Sequence, residues 1–279
     1  MTFFRVLVVI FLLFFQEGHA QFTGLKKIRW EYEKVAPGLI WKSSHTVLND
    51  TLKQNINLLI VNLKKREIAL RYDPEGNIPV SRQAGAAGAL AAVNGGFFNI
   101  KDGGSVTYIR TGGHIADADT AKKWSRNANM TGALLIKTDN ELLIEKAMPN
   151  SWYDSHNEYE DVLVTGPLLV SDGELAVLPE TSFVITRHPR TAAGIKSRKK
   201  AVLITVDGRA SEAAGMTLTE LACLMMHLRC RSAVNLDGGG STTMWISGKP
   251  FNGVVNMPSD NRKFDHEGER AVSDILIIR

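Results

Sequence analysis

Ser232-Ala-Val-Asn-Leu-Asp237-Gly238-Gly239-Gly240-Ser241-Thr-Thr-Met244 is the stretch from which the rest of the chain can be read. A short apolar run ends on Asn235 and Asp237, and three glycines and a hydroxyl-rich segment come next. If residues 233–236 form a strand, side chains alternate faces, so Val234 and Leu236 enter the core while Asn235 and Asp237 share the opposite face. Three glycines let the backbone take positive φ and approach a ligand closely, although composition alone favours an ordinary loop. The residues after the glycines decide the fold class. No lysine succeeds them, and residues 244–246 read as a strand rather than a helix, which excludes a P-loop and a dinucleotide-binding fold.

The flanking segments read as short strands and turns. Residues 56–63 and 68–72 read as a hairpin around the charged turn 64–67. Residues 163–170 and 175–178 form a second around Ser171-Asp172-Gly173. A third joins residues 191–196 and 201–206 through a basic turn, and the chain closes on a strand over 271–278. Residues 80–87 come after Pro79 as a short helix, and 89–93 deliver Asn94-Gly95-Gly96 to a loop. The strongest helix spans 217–229, where Thr217 and Glu220 fit a capping box and Leu218, Leu221, Met225 and Leu228 share one face. Residues 117–129 are polar and read as a mobile loop. The expectation is an α+β single domain, with mainly antiparallel sheets packed around a few helices.

Residues 1–20 carry one basic residue, Arg5, an apolar run over 6–15 and the small-residue ending Gly18-His19-Ala20. This is a signal-peptide pattern whose core is too short to span a bilayer. It predicts an exported protein, periplasmic or extracellular, with its domain at 21–279 and no stable membrane insertion after the signal is removed. A net charge of +4 spread over 279 residues suits an anionic substrate and is too diffuse to imply nucleic acid. Cys223 and Cys230 read as lying in one helix, about 10 Å apart, too far for a disulfide. Without CxxC or histidine spacing they read as buried thiols. The lack of bridges favours a bacterial source, in which the sequons at Asn49 and Asn129 carry no meaning.

Five strand ends gather polar side chains, most of them beside glycine: Asn94-Gly95-Gly96, Arg190-Thr191, Asp207-Gly208-Arg209, Asn235 to Ser241, and Glu269-Arg270. Each alone reads as a turn or a surface charge. Together, at the ends of rigid strands, they make a pocket suited to an anion joined to a polyol. No Gly-x-Ser-x-Gly elbow or HExxH is present, and His188, His227 and His266 read singly as structural or rim residues. No spacing supports a metal at Asp207 and Asp237, and no cofactor is called for.

With these residues laid out, the chain resembles the phosphodiester glycosidase family. The resemblance rests on Ala92-Val-Asn94-Gly-Gly-Phe-Phe98, Thr165-Gly-Pro167, His188-Pro-Arg190-Thr-Ala-Ala-Gly194, Val206-Asp-Gly-Arg209, Gly215-Met-Thr-Leu218, Asn235-Leu-Asp-Gly-Gly-Gly-Ser-Thr242 and Glu269-Arg-Ala-Val272. These motifs cover roughly residues 45–279 and imply hydrolysis of a sugar-1-phosphodiester at the glycosidic carbon. The partner is then a phosphorylated glycan or sugar-phosphodiester. On this view Arg190 and Arg270, with Arg209, hold the phosphodiester, and the amides of Gly95, Gly96, Gly238, Gly239 and Gly240 add an anion nest. Asp237, Asp207 and Glu269 are the catalytic carboxylates, with base and stabilising roles open between them. Asn94, Thr191, Asn235 and Ser241 would orient sugar or phosphate oxygens. Two other readings stand beside this one: a phosphodiesterase cutting the P–O bond, and a non-catalytic binder of phosphorylated envelope glycans.

Overall fold

A computed structural model describes residues 23–75, 78–117 and 128–279. The signal peptide expected at 1–20 and most of the loop expected at 117–129 lie outside the described residues.

Strands are numbered in chain order. The largest sheet has eight, in the order β1 (Glu31–Ala36), β2 (Leu39–Leu48), β3 (Leu52–Asn62), β15 (Lys200–Val206), β14 (Arg190–Ser197), β16 (Ser232–Asn235), β12 (Leu168–Ser171) and β13 (Glu174–Leu175). A five-stranded sheet runs β10 (Leu142–Lys146), β9 (Gly132–Lys137), β11 (Tyr159–Thr165), β7 (Ile109–Thr111) and β8 (His114–Asp117). A four-stranded sheet runs β17 (Met244–Ile246), β6 (Ala91–Asn94), β19 (Asp274–Ile278) and β4 (Ile68–Tyr72), and β18 (Ala271–Val272) pairs with β5 (Ile78–Pro79). The registered pairs are antiparallel, as in β14 with β15 and β19 with β6. The described residues hold four α-helices: α1 (Val80–Ala86), α2 (Asn150–Asp154), α3 (Ser182–Ile185) and α4 (Leu218–His227).

Alternation decides where each strand sends its side chains. In β15, Ala201 and Leu203 face a core shared by the three larger sheets, while Val202, Ile204 and Val206 face α4 on the other side. Both faces are covered, so residues 201–204 and Val206 are apolar, each fully buried Leu or Ile contributing about 1.5–3 kcal/mol. In β19, Leu276 and Ile278 face the shared core, and Ile275 and Ile277 pack with Val80, Ala84 and Trp245. In β9, Leu134 and Ile136 face inward, and Ala133 and Leu135 pack with Tyr108 and Tyr153. Helix α4 has the expected capping box between Thr217 and Glu220, and buries Leu218, Leu221 and Met225.

Three local expectations change. Residues 56–63 and 68–72 do not form a hairpin: β3 already has β2 and β15 on its two edges, and β4 pairs with β19 in a different sheet. The stretch 163–170 is two strands rather than one, broken at the cis Gly166–Pro167 bond, with β11 and β12 in separate sheets. Cys230 lies beyond α4, after the left-handed residue Arg229 (φ 62°), and both cysteines are free. Among the described residues, no helix is long and apolar enough to cross a membrane.

Candidate active site

Two sheets meet at the ends of four strands. The register pairs Ala192 of β14 with Asn235 of β16, and Ile275 of β19 with Asn94 of β6. Between the sheets, Asp237 N–H donates to Gly95 O (2.9 Å) and Thr191 Oγ1 donates to Asn94 Oδ1 (2.7 Å). Asn94 also accepts from Thr243 N (3.1 Å) and donates to Asp237 O (2.7 Å). Buried Asn94 and Thr191 thus hold the backbone beneath Asp237 and have little freedom to meet a ligand themselves. Asn235 is buried too, donating to Gly166 O (2.8 Å) and Leu236 O (2.7 Å). It pins the Gly166–Pro167 bend to β16, while its Oδ1 meets no partner among the described residues.

Asp237 is the carboxylate at the glycine loop. Oδ1 accepts from Gly238 N (2.9 Å) and Oδ2 from Ser241 Oγ (2.7 Å). Burial pushes this carboxyl up to about 6, while Ser241, the Gly238 amide and the charges of Arg270 and Arg209 pull it down. Gly239 has φ 62° and its N–H donates to Pro189 O (2.9 Å). A Cβ on Gly239 would lie 2.8 Å from the Arg209 guanidinium, and one on Gly240 would collide with Arg270 and Asp260. The loop must be glycine here because two guanidinium groups lie against its backbone. Arg270 forms an ion pair with Asp260, and Arg209 is exposed.

Arg190 is placed differently from the other two arginines. It is fully buried, with Nε donating to Met216 O (2.9 Å) and Nη2 to Phe183 O and Thr186 O (both 2.8 Å). Its guanidinium carbon sits 4.9 Å from the centre of the Phe183 ring. Burial, aided by the charge of Arg209 and opposed by Asp237, lowers it to about 10. Arg190 therefore builds the wall behind Asp237, leaving only Nη1 without a partner among the described residues. Burial, with the charges of Arg190 and Arg209, also lowers the neighbouring His188.

Two of the three carboxylates expected at the pocket have their oxygens engaged by neighbouring groups. Asp207 is fully buried and its oxygens are occupied: Oδ1 accepts from Asn256 Nδ2 (2.8 Å), and Oδ2 from Asn55 Nδ2 (2.7 Å) and Met257 N (3.0 Å). Burial raises it to about 7 against those three bonds. Asn256 also donates to Thr242 O (3.0 Å) and accepts from Met244 N (2.7 Å), so this cage braces the far side of the glycine loop. Glu269 accepts from Ser81 N (2.6 Å) and Ser81 Oγ (2.7 Å) in the first turn of α1, and burial raises it. Glu269 and Arg270 are neighbours in sequence, yet Glu269 reaches α1 and Arg270 reaches Gly240. Only Arg270 meets the loop.

The acid that does adjoin Asp237 is Asp274, which in sequence sits unremarked inside the apolar strand 271–278. It is buried, with Oδ1 accepting from Gly96 N (2.6 Å) and Asp274 O accepting from Gly95 N (2.9 Å). Oδ2 meets no partner among the described residues. Burial raises Asp274 to about 7, the Gly96 amide opposing and the negative charge of Asp237 adding. The signal that could have found it is an ionisable residue within a run whose two faces are both covered.

The amides of Gly95, Gly96, Gly238 and Gly239, expected as an anion nest, are already bonded to Asp274, Pro189 and Asp237. A phosphate here would therefore rest on Arg209 and Arg270, with a carboxylate of raised affinity for protons beside it. A sequence model of the phosphodiester glycosidase family matches residues 87–279. Bovine N-acetylglucosamine-1-phosphodiester alpha-N-acetylglucosaminidase is 27% identical over 196 residues, 65% of this chain and 35% of that protein. The SPbeta prophage-derived protein YomE of Bacillus subtilis is 33% identical over 144 residues, 51% of this chain and 19% of the relative. The chain thus spans about a third or less of the length of these two relatives. The catalytic domain of the zebrafish N-acetylglucosamine-1-phosphodiester alpha-N-acetylglucosaminidase, auto-inhibited by its pro-peptide, shares the fold. Its TM-score is 0.67 at 22% identity, covering 90% of this chain and 88% of that one. The glycine loop, the three arginines and Asp274 all fall within the matched span, and the chain belongs to the phosphodiester glycosidase family.

Proposed function

We propose that this protein hydrolyses the glycosidic bond of a sugar-1-phosphodiester, releasing free sugar and a phosphomonoester. The observation that carries this reading is Asp237, half-buried with its carboxyl raised to about 6, at a glycine loop flanked by Arg209 and Arg270. Arg209 and Arg270, lying against the glycine loop, hold the phosphodiester. Water attacks the anomeric carbon and gives its proton to Asp237. The bond from that carbon to the phosphate oxygen breaks, and its electron pair leaves with the phosphate. The guanidinium groups stabilise the charge that develops on the leaving group, so full protonation of that oxygen is not needed. The caged Asp207 and helix-bound Glu269 act by holding the loop and α1 in place. N-acetylglucosamine-1-phosphodiesters are the substrates suggested by the named relatives. The reading extends to a signal peptide at residues 1–20 and a single exported domain at 21–279.

The test is to follow free sugar from GlcNAc-phospho-mannose in water labelled with ¹⁸O. Label on N-acetylglucosamine is expected. Label on phosphate would move cleavage to the P–O bond, and saturable binding without turnover would make the protein a binder.

A further inference from the structure

On the other side of the Glu269-Arg270 segment lies an open cleft of about 530 Å³, lined by Phe251, Asn252, Val254, His266, Glu267 and Glu269. We propose that this cleft is a carbohydrate subsite that takes a pyranose ring of the aglycone, beyond the phosphate. The proposal rests on the phosphodiester reading of the Asp237 pocket.

The first support is the way Phe251 is displayed. It is 60% exposed although large apolar side chains are usually covered. Its backbone is left-handed (φ 54°), as are those of Asn252 (φ 55°) and Gly253 (φ 87°). A bulky residue in that region is an outlier, and such strain persists only where surrounding contacts impose it. Here they do: Trp245 Nε1 donates to Asn252 O (2.6 Å), Gly253 N donates to Pro250 O (2.9 Å), and Val254 N donates to Phe251 O (3.1 Å). The ring stacks on His266 with centroids 4.3 Å apart and planes 16° from parallel. His266 in turn bonds through Nδ1 to Asn256 O (2.7 Å), so the aromatic pair is tied to the cage around Asp207.

The second support is the chemistry of the lining. A flat aromatic surface suits the apolar C–H face of a pyranose, and carboxylates and an amide at its edge suit the hydroxyls. Glu267 and Asn252 supply those edge groups, while the Glu269 carboxylate behind them is held by Ser81. The same carboxylates repel phosphate, which is favoured on the guanidinium side. The third support is position. Arg270 reaches the glycine loop and its sequence neighbour Glu269 lines the cleft, so the two sites flank one segment of chain. A phosphodiester bound on Arg270 would have its aglycone at the edge of the cleft.

The subsite is tested by comparing kcat/KM for GlcNAc-phospho-mannose with that for GlcNAc-1-phosphomethyl, which lacks the second sugar. Phe251→Ala should lower the ratio of the two values about fivefold to tenfold, the scale of one lost aromatic contact. Phe251→Trp should restore it. An unchanged ratio in a folded Phe251→Ala protein overturns the subsite. A second readout does not depend on turnover: saturation-transfer NMR of mannose 6-phosphate with the full chain carrying Asp237→Asn. Transfer to the ring protons that vanishes when Phe251→Ala is added supports the subsite, and equal transfer in both proteins overturns it. Loss of turnover on both substrates with retained transfer would instead remove the proposed reaction and keep the subsite.

Discussion

Asp274 feels the charge of Asp237, and the oxygens of the two carboxyls are engaged differently. Asp237 has a hydroxyl and an amide on its two oxygens, and Asp274 has an amide on one oxygen and, among the described residues, no partner on the other. Removing the charge at the reacting centre while keeping its shape should therefore be severe. Asp237→Asn is expected to lower kcat by about 10²–10⁴-fold, the range for a positioned acid–base group. If ionised Asp237 takes the proton from water, kcat/KM in the wild type should rise with pH through about 6. Asp274, raised to about 7, is still mostly protonated where Asp237 ionises, so Asp274→Asn should leave the position of that rise nearly unchanged. Arg190 answers to a different assay. Its three bonds to backbone carbonyls predict that Arg190→Lys costs stability on the order of 3 kcal/mol, since lysine cannot reproduce the fork. Urea denaturation measures that loss separately from activity.

Helix ends and loops set how firmly these residues are held. Helix α4 starts with Thr217 and Glu220 capping each other, and Glu220 also bonds Arg187. Thr217→Ala should cost about 1 kcal/mol, read as a lower urea midpoint, with activity retained at low denaturant. Glu269 caps α1 from 188 positions away in sequence. Glu269→Ala would leave Ser81 N–H without its acceptor, at a cost of about 1–3 kcal/mol. The glycine loop is constrained by crowding. In Gly240→Ala the new methyl group must displace Arg270 and Asp260, so phosphodiester turnover should fall much further than thermal stability. Equal losses in the two measurements would remove Arg270 from the site.

Across the molecule, burial or partial burial raises a set of carboxyls: Asp207 and Asp274 to about 7, Asp237 to about 6, with Glu269 and Asp161 also raised. A carboxyl raised in the folded state adds stability that is fully present below its unfolded value near 4. That stability is lost as pH rises through the folded value. Melting temperature should therefore fall between pH 5 and pH 8, and Asp274→Asn should flatten part of that slope. A melting temperature that climbs over this interval would contradict the burial assigned to these groups.

Local order was legible where it depends on neighbours along the chain. The cap of α4, the strand into Asp237, the turn at Ser171-Asp172-Gly173 and the antiparallel character of the sheets arise from side-chain period and turn chemistry. So does the family, whose motifs are short runs around strand ends. Partnership between distant segments was not legible. The hairpin expected at 56–72 failed because β15 occupies the edge of β3 that β4 would have needed. Asp207 reads like a site residue until Asn55 and Asn256 close on it, and Asp274 reads like a strand residue until β19 pairs with β6 beside Gly96. The amino-acid sequence by itself determined which segments become strands, which turns are glycine, and that acids, amides and arginines stand at their ends. Tertiary structure alone decided which of those acids reaches the pocket, because a carboxylate's role depends on the donors around its oxygens. Here those donors come from segments far apart in the chain.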